Sequence, residues 1–176
     1  AYSGEILGIA GIAGSGQREL LEAIAGLHPT VEGSMQYISP ETEQPLEISQ
    51  MDATDIEKLG IRLSFVPEDR LGMGLVGSMD MIDNMMIRSY KKGKSFFADR
   101  KNPKSLAEKV IQQLQINTPG VDTPVSRLSG GNVQKVLVGR ELAASPIVLM
   151  TAYAVRGLDI NTSYTIYNLL NEQKEK

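Results

Sequence analysis

An apolar segment, a glycine-rich loop and an amphipathic helix follow one another at the start of the chain, and this order constrains the fold more than any other feature. The segment EILGIAG, residues 5–11, predicts a buried strand that leads into the loop. The following QRELLEAIAGL predicts a helix with a C-cap at Gly26. Strand, glycine loop and helix are the context of a phosphate-binding loop. A tight turn between strand and helix is the simpler alternative.

The loop, GIAGSGQREL, keeps the glycine frame of a phosphate-binding loop but departs from it at the two chemically active positions. A working loop reads G-x-x-x-x-G-K-[ST]. Gly11 and Gly16 have that spacing, whereas Gln17 replaces the lysine and Arg18 replaces the hydroxyl residue. Main-chain N–H groups do not depend on side chains, so weak nucleotide binding remains open. The missing cation and metal ligand argue against hydrolysis at this loop.

Strand and helix patterns continue along the chain. A hairpin is predicted around GSMQYIS and a short helix near DATDIEKLG. IRLSFVPEDR predicts a strand that Pro67 ends. SLAEKVIQQLQ predicts a helix with a capping box from Ser105 to Glu108, and SPIVLM predicts a central strand of a parallel sheet. A last helix is predicted from Asn161 onward. The chain therefore reads as an α/β protein.

Composition narrows the classes of function. The formal net charge is −3, which argues against a nucleic-acid partner. The chain has no cysteine and one histidine, His28, so a zinc centre is not expected. No apolar run approaches the roughly 20 residues that a membrane-spanning helix needs.

The segment RLSGGNVQKVLVGREL, residues 127–142, carries the most specific pattern. Ser129 predicts a helix cap, and Gly130 and Gly131 leave main-chain N–H groups bare at the start of that helix. Bare donors and the helix dipole together favour an anion. A glycine turn ahead of an amphipathic helix is the simpler alternative.

Three of these segments, in this order, resemble motifs of the ATP-binding domains of ABC transporters. LSGGNVQK resembles their signature motif, VPEDR lies where their Q-loop lies, and RGLDI resembles their D-loop. The resemblance covers essentially the whole chain. It is closest to the second of two fused ATP-binding domains in importers for simple sugars and nucleosides, and the degenerate Walker B strand points toward the nucleoside branch.

The resemblance implies a P-loop NTPase fold with a helical signature subdomain at approximately residues 76–140. It implies one ABC nucleotide-binding domain over residues 1–176, incomplete because the N- and C-terminal strands of the family are not found. Thr151 and Ala152 fall at the Walker B positions for the metal ligand and the catalytic carboxylate. Glu68 falls at the position of the Q-loop glutamine. This domain alone is therefore expected to have no catalytic residue, no metal site and no ATPase activity.

The resemblance also implies how the intact signature works. ATP, with Mg²⁺ mainly at the partner site, would lie on the N-terminal ATP-binding domain of the same polypeptide, and the signature would complete that site. Further partners would be a transmembrane permease and, indirectly, a solute-binding protein, which places the domain at the cytoplasmic face of the cell membrane. The expected nucleotide-contacting residues are Gly11, Gly14, Ser15, Gly16, Gln17 and Arg18 in the degenerate loop, Ser129, Gly130, Gly131 and Gln134 in the signature, and Asp159 in the D-loop.

Two other functions remain open at this point. One is a catalytically active ABC ATPase with non-standard residues, for which Arg18 is the supporting feature. The other is a P-loop scaffold outside transport, against which the retained signature argues. Five methionines between Met73 and Met86 predict core packing, or alternatively an adaptable surface for a permease helix. The basic segment SYKKGK predicts a solvated loop.

Overall fold

A computed structural model describes residues 1–12, 14–39, 41–89 and 100–175 of the chain. The chain divides into two units, one formed by Ile6–Leu63 with Ala1, the other by Ser64–Lys176 with Tyr2–Glu5. Each unit has its own apolar core. Among the described residues, no helix combines the length and the apolar character that a bilayer crossing requires.

The first unit contains helix α1 (Gln17–Ile24), strands β1 (Gln36–Ile38) and β2 (Pro45–Glu47), and helix α2 (Ala53–Lys58). The two strands form an antiparallel hairpin in which Tyr37 lies opposite Leu46. Ile48, Ile56 and Ile61 are buried beneath it. The predicted hairpin and short helix are both confirmed.

Helix α1 ends at a glycine, as the sequence predicts. Gly26 has a φ of 70°, and its N–H donates to Ala23 O at 3.0 Å. The next residue, Leu27, donates to Glu22 O at 2.8 Å. This pair of bonds is the Schellman motif, which uses a left-handed residue to satisfy the last carbonyls of a helix. A side chain at position 26 would also lie 2.6 Å from Ala53 N, so the glycine lets α2 begin close by.

The predicted strand at residues 5–11 is wrong. None of these residues is in a strand, and the two described sheets contain only β1 with β2 and β3 with β4. Ile6, Leu7 and Ile9 keep between 48% and 60% of their surface exposed. An apolar segment becomes a buried strand only where neighbouring strands pair with its N–H and C=O groups. In the described part of the chain this segment has no such neighbour.

The second unit contains the larger set of elements. Its strands are β3 (Leu63–Val66), which begins at the unit boundary, and β4 (Val148–Thr151). They pair, and Ala152 N donates to Val66 O at 2.8 Å just beyond β4. Both segments are strands as predicted, but the predicted central position of β4 is wrong for the described residues, where β4 pairs with β3 alone. The helices are α3 (Met81–Met86), α4 (Lys101–Gln113), α5 (Gly130–Ala143) and α6 (Ile160–Lys174), with a π-helical turn at Arg70–Gly74 and a 3-10 turn at Val125–Arg127.

Helix α5 occupies the centre of the second core. Val136 and Leu137 of α5 are fully buried and belong to the same cluster as Met81 and Met85 of α3. Those two methionines therefore act as core residues, as the packing interpretation predicts. Met73 and Met79 keep about two fifths of their surface exposed, at 41% and 40%.

Helix α4 begins earlier than the sequence predicts, so the capping box from Ser105 to Glu108 is wrong. The helix starts at Lys101, its N-cap residue Arg100 makes no side-chain capping bond, and Lys104 N donates the first helical bond to Arg100 O at 2.9 Å. Pro103 lies in the first turn, where its missing N–H costs nothing. The predicted loop SYKKGK lies outside the described residues from position 90 onward.

Candidate functional site

The N-terminus of α5 presents donors toward solvent. Ser129 is the N-cap, and its Oγ accepts from Asn132 Nδ2 at 3.0 Å and from Asn132 N at 3.4 Å. Asn132 is held in turn, because its Oδ1 accepts from Asn117 N at 3.1 Å. A serine hydroxyl has two acceptor sites and one proton. Asn132 uses both acceptor sites, so the hydroxyl proton of the exposed Ser129 is left to donate outward.

Gly130 and Gly131 add main-chain donors beside this hydroxyl. In the described residues their N–H groups donate no hydrogen bond, as expected for the first turn of a helix. A side chain at Gly131 would lie 3.2 Å from Gly157 O and 3.6 Å from Leu158 Cδ2. The glycine therefore allows the D-loop segment to approach the first turn of α5. The helix dipole, the bare N–H groups and the outward hydroxyl all favour an anion at this end of α5.

Two arginines join this helix end to the other motifs of the second unit. Arg70, from VPEDR, donates from Nη1 to Gly130 O at 2.7 Å and from Nη2 to Arg156 O at 2.6 Å. Arg156, from RGLDI, donates from Nη1 to Oε1 of Glu68. Its guanidinium also lies 5.6 Å from the centroid of the Tyr153 ring. The Q-loop, signature and D-loop segments are thus connected by charged hydrogen bonds.

A polar cavity of about 220 Å³ opens beside the signature. Its lining includes Ser129, Gly131, Asn132, Gly157 and Asp159. A second cavity of about 410 Å³ lies alongside, and Lys135 and Asp159 line both. Lys135 donates from Nζ to Gln115 O at 3.2 Å, so its charge is held at the wall of these cavities.

Asp159, expected at the nucleotide, has a defined structural role. It is the N-cap of α6, and its carboxylate accepts from Thr162 N at 2.9 Å and from Thr162 Oγ1 at 2.6 Å. These bonds from Thr162 lower the pKa of Asp159 below its usual value, and the nearby charge of Lys135 adds to the effect. The D-loop aspartate is therefore a fixed anion that orients the start of α6.

The end of β4 carries no acidic side chain. Thr151 is its last residue, Ala152 follows, and Tyr153 turns the chain with a φ of 58°. Gln134 supports this turn by donating from Nε2 to Ala154 O at 2.9 Å. Because Gln134 is only 1% exposed, its side chain faces the turn and not the solvent, unlike the exposed Ser129 and Gly130.

The described residues hold no group of three or more His, Cys, Asp or Glu side chains arranged to hold a metal ion. Glu68, at the Q-loop position, is paired with Arg156. Mg²⁺ at a nucleotide site is usually held by one or two carboxylates together with substrate phosphates and water, and Thr151 and Ala152 at the end of β4 supply no carboxylate.

The glycine loop of the first unit contains two glycines in the left-handed region. Gly14 and Gly16 have φ values of 81° and 90°, which suits glycine, and Gly16 caps α1 without a side-chain bond. The Oγ of Ser15 lies 2.8 Å from Ile12 O and 3.3 Å from Gln17 Oε1. The Gln17 side chain thus folds back over its own loop.

The side chains of Gln17 and Arg18 are both held by neighbouring residues. A side chain at Gly11 would lie 2.6 Å from Gln17 Nε2, so the glycine makes room for the folded glutamine. Arg18 donates from Nε to Glu22 Oε1 at 2.7 Å, one turn further along α1. Gln17 therefore brings no charge to the loop, and Arg18 is engaged with Glu22.

Sequence reasoning missed three residues that organise the signature: Arg70, Asn132 and Arg156. Each lies inside a motif that was recognised, namely VPEDR, LSGGNVQK and RGLDI. The arginine at the end of VPEDR and the one at the start of RGLDI are the available signals, because a guanidinium group carries five N–H donors and no acceptor.

Comparison with known proteins identifies relatives of the chain. A family model described as "ABC transporter" matches residues 1–151. The ribose import ATP-binding protein RbsA of Rhodopirellula baltica is 38% identical over 170 residues, which is 96% of this chain and 32% of that protein. The xylose import ATP-binding protein XylG of Moorella thermoacetica is 37% identical over 168 residues, 96% of this chain and 32% of that protein. The galactose/methyl galactoside import ATP-binding protein MglA of Vibrio vulnificus is 34% identical over 177 residues, 99% of this chain and 34% of that protein.

The matches cover only part of the relatives, and the match to solved structures concerns the fold. The chain spans about a third of the length of the curated relatives it matches. Among solved structures, the dimeric ATP-binding cassette MJ0796, in a post-hydrolysis state with ADP and Pi, superposes with a TM-score of 0.80 at 22% identity, covering 99% of this chain and 71% of that one. At this identity the likeness supports the fold, which is that of a P-loop ABC ATPase domain.

Proposed function

The chain belongs to the ABC transporter family of ATP-binding proteins, and we propose that it acts as the second, C-terminal ATP-binding domain of an importer. In this role its signature completes an ATP site whose phosphate loop belongs to the N-terminal domain of the same polypeptide. Its own loop is a degenerate site that does not hydrolyse ATP.

The proposal depends on one contrast between two parts of the chain. At Ser129 the hydroxyl proton is oriented outward, because Asn132 occupies both acceptor sites of that hydroxyl. At Gly130 and Gly131 the main-chain N–H groups are bare, because they lie in the first turn of α5. At the end of β4, by contrast, Thr151 and Ala152 offer no carboxylate for a metal ion or a water molecule. A domain that keeps donors and lacks catalytic acids is suited to assist a reaction that takes place on its partner.

The residues of this chain have separate tasks in such a site. The hydroxyl of Ser129 and the N–H groups of Gly130 and Gly131 donate to the terminal phosphate oxygens, which stabilises the charge that develops there during hydrolysis. Asn132 keeps the hydroxyl proton pointing outward, and Gln134 supports the turn at Ala154 from inside. Mg²⁺ and the loop lysine that the reaction requires come from the partner domain.

A fully active ATPase with non-standard residues fits the structure less well. Its supporting feature is Arg18 as a substitute cation, but the Nε of Arg18 is bonded to Glu22, four residues along the same helix. Loss of one charge-assisted hydrogen bond weakens binding by about 1.5–3 kcal/mol. We therefore infer that the degenerate loop holds ATP or ADP weakly.

The transported solute is inferred from the names of the relatives. The three relatives described above are named for the import of ribose, xylose, and galactose or methyl galactoside. A simple sugar is accordingly the proposed cargo, and a nucleoside is the second candidate. The proposed partners are a permease, which holds this domain at the cytoplasmic face of the membrane, and a solute-binding protein that supplies the permease.

Replacement of Gly131 by aspartate in the intact two-domain protein tests the proposal. A carboxylate at this position blocks the anion-binding end and repels phosphate, so ATP turnover should fall by about tenfold or more. Gly120→Asp is the matched control, since no atom lies within 4 Å of a side chain added at Gly120. Equal turnover in both variants would show that the signature has no role in the partner's site.

A further inference from the structure

The guanidinium group of Arg70 occupies a slot between two glycines. A side chain at Gly130 would lie 3.2 Å from Arg70 Nη1, and one at Gly157 would lie 3.6 Å from Arg70 Nη2. From this slot the two terminal nitrogens reach the carbonyls of Gly130 and Arg156, at 2.7 and 2.6 Å. The planar fork of an arginine can hold two carbonyls at once, whereas a lysine brings a single charged nitrogen.

The main chain beneath Arg70 is also held in place. Arg70 begins the π-helical turn Arg70–Gly74, whose N-cap Asp69 accepts from Gly72 N at 2.8 Å. Leu75 N then closes the turn by donating to Arg70 O at 2.7 Å. Single π-helical turns occur frequently at functional sites. The fixed main chain of this turn limits the positions that the guanidinium group of Arg70 can reach.

The segment that carries Arg70 holds the D-loop segment at two points. Arg70 binds the main-chain carbonyl of Arg156, and Glu68 binds the side chain of the same residue. The carboxylate of Glu68 is thereby engaged in an ion pair with the D-loop segment. Residues 68–70 thus connect the first turn of α5 to the segment that follows β4.

We propose that Arg70 is a positioning residue that locks the first turn of α5 against the segment 156–158, so that the donors of Ser129, Gly130 and Gly131 stay aligned for a phosphate. This inference rests on the proposed function, since it assigns the alignment to the donors of the signature. Without Arg70, the carbonyl of Gly130 loses its charged partner and the helix end can shift relative to Gly157. Arg70 itself does not touch the phosphate in this role.

Two substitutions of Arg70 separate this role from a general loss of stability. Arg70→Ala removes both bonds, and Arg70→Lys retains one charged donor. Arg100→Ala is the matched control, because Arg100 also makes two contacts on the second unit, to Asp80 at 2.7 Å and to Asp83 at 3.0 Å, away from the signature. Ser129→Ala serves as the reference for loss of a signature donor.

The experiment measures ATP turnover and amide exchange in the intact two-domain protein. We expect Arg70→Ala to lower kcat by about tenfold, with less than about a twofold change in the KM for ATP, because loading occurs on the partner's loop. Arg70→Lys should lie between Arg70→Ala and wild type. In the nucleotide-free protein, the amides of Asn132 and Val133 should exchange several-fold faster in Arg70→Ala, and Arg100→Ala should leave both readouts unchanged.

Three results would overturn the inference. In the first, Arg70→Ala matches Arg100→Ala in both turnover and amide exchange. In the second, Arg70→Ala speeds amide exchange but keeps wild-type turnover, whereas Ser129→Ala lowers turnover. In either case the proposed function survives and the role of Arg70 does not. If Ser129→Ala leaves turnover unchanged, the proposed function fails, and the role assigned to Arg70 fails with it.

Discussion

Arg88 donates from Nη2 to Oε2 of Glu141 across 2.5 Å, and the Glu141 side chain is 2% exposed. The other carboxylate oxygen of Glu141 accepts from Arg140 at 2.8 Å. Arg140 in turn donates from Nη2 to Gly74 O at 2.6 Å. Burial lowers the pKa of Arg140, and the Glu141 carboxylate opposes that shift. One buried carboxylate therefore holds a buried cation, Arg140, and a partly exposed one, Arg88.

Replacement of Glu141 by glutamine should destabilise the second unit strongly. The substitution keeps the shape of the side chain and leaves Arg140 and Arg88 without their anion. Breaking a buried ion pair by removing one partner costs about 3–5 kcal/mol. Urea unfolding measures the change, with Glu108→Gln on the exposed face of α4 as the control. A loss for Glu141→Gln that is no larger than that of the control would contradict the assigned role.

Replacement of Asn132 by aspartate should impair the signature without changing its shape. The carboxylate of the new residue would accept the hydroxyl proton of Ser129, which in the native protein points outward, and its charge would repel phosphate. We expect ATP turnover in the intact protein to fall by about tenfold. Asn102→Asp, at an exposed position of α4, is the control for the added charge. Unchanged turnover in Asn132→Asp would mean that the orientation of the Ser129 hydroxyl is irrelevant.

Local sequence patterns predicted most of the elements around these residues. The hairpin, β3, β4 and the end of α1 at Gly26 all follow from short-range signals, namely turn residues, apolar periodicity and glycine caps. The segment 5–11 was predicted wrongly because apolar character does not identify a ladder partner, which is a long-range property. The start of α4 was misplaced because no side chain caps the helix at Arg100, so no capping residue marks that position in the sequence.

In the candidate site, too, short-range motifs could be predicted from the sequence and long-range bonds could not. Ser129, Gly130 and Gly131 could be predicted because a capping serine and two glycines form a contiguous motif. The bonds of Arg70 could not, since they join residues 60 and 86 positions apart in the sequence and end on main-chain carbonyls. Any residue offers a carbonyl, so no residue pattern marks the receiving end of such a bond. The burial of Gln134 was missed for a related reason, because its partner is the carbonyl of Ala154.

The charge of Asp159 predicts a pH-dependent contribution to stability. Its pKa is lowered in the folded protein, chiefly by the bond from the Thr162 hydroxyl. The folded state thus favours the charged form, and this contribution is fully present above the unfolded pKa of about 3.9. It is lost as pH falls through the lower pKa of the folded state.

Asp159→Asn tests that contribution, because asparagine is also a good N-cap but carries no charge. The melting temperature of wild type should exceed that of the variant at pH 7, and the difference should shrink when the pH is taken below about 4. A difference that stays constant from pH 7 to pH 3 would show that the carboxylate charge contributes nothing.

Restoring the lysine of the glycine loop should recover binding without recovering hydrolysis. In Gln17→Lys the frame of Gly14 and Gly16 is kept, and the new ammonium group replaces a neutral amide that folds back toward Ser15. A cation facing phosphate forms a charge-assisted hydrogen bond, so the affinity for labelled ATP should rise by about tenfold in a titration of the 176-residue chain. Gln112→Lys, on the exposed face of α4, controls for the added positive charge.

Hydrolysis by Gln17→Lys should stay at background, because Thr151 and Ala152 still supply neither a metal ligand nor a group to orient water. Binding and turnover are thus expected to separate in a single variant. If the lysine raised both together, catalytic groups other than the Walker B positions would have to exist in this chain, and the assignment of hydrolysis to the partner domain would be wrong. If it raised neither, relative to Gln112→Lys, the glycine loop would no longer be a phosphate site, and its frame would serve only the start of α1.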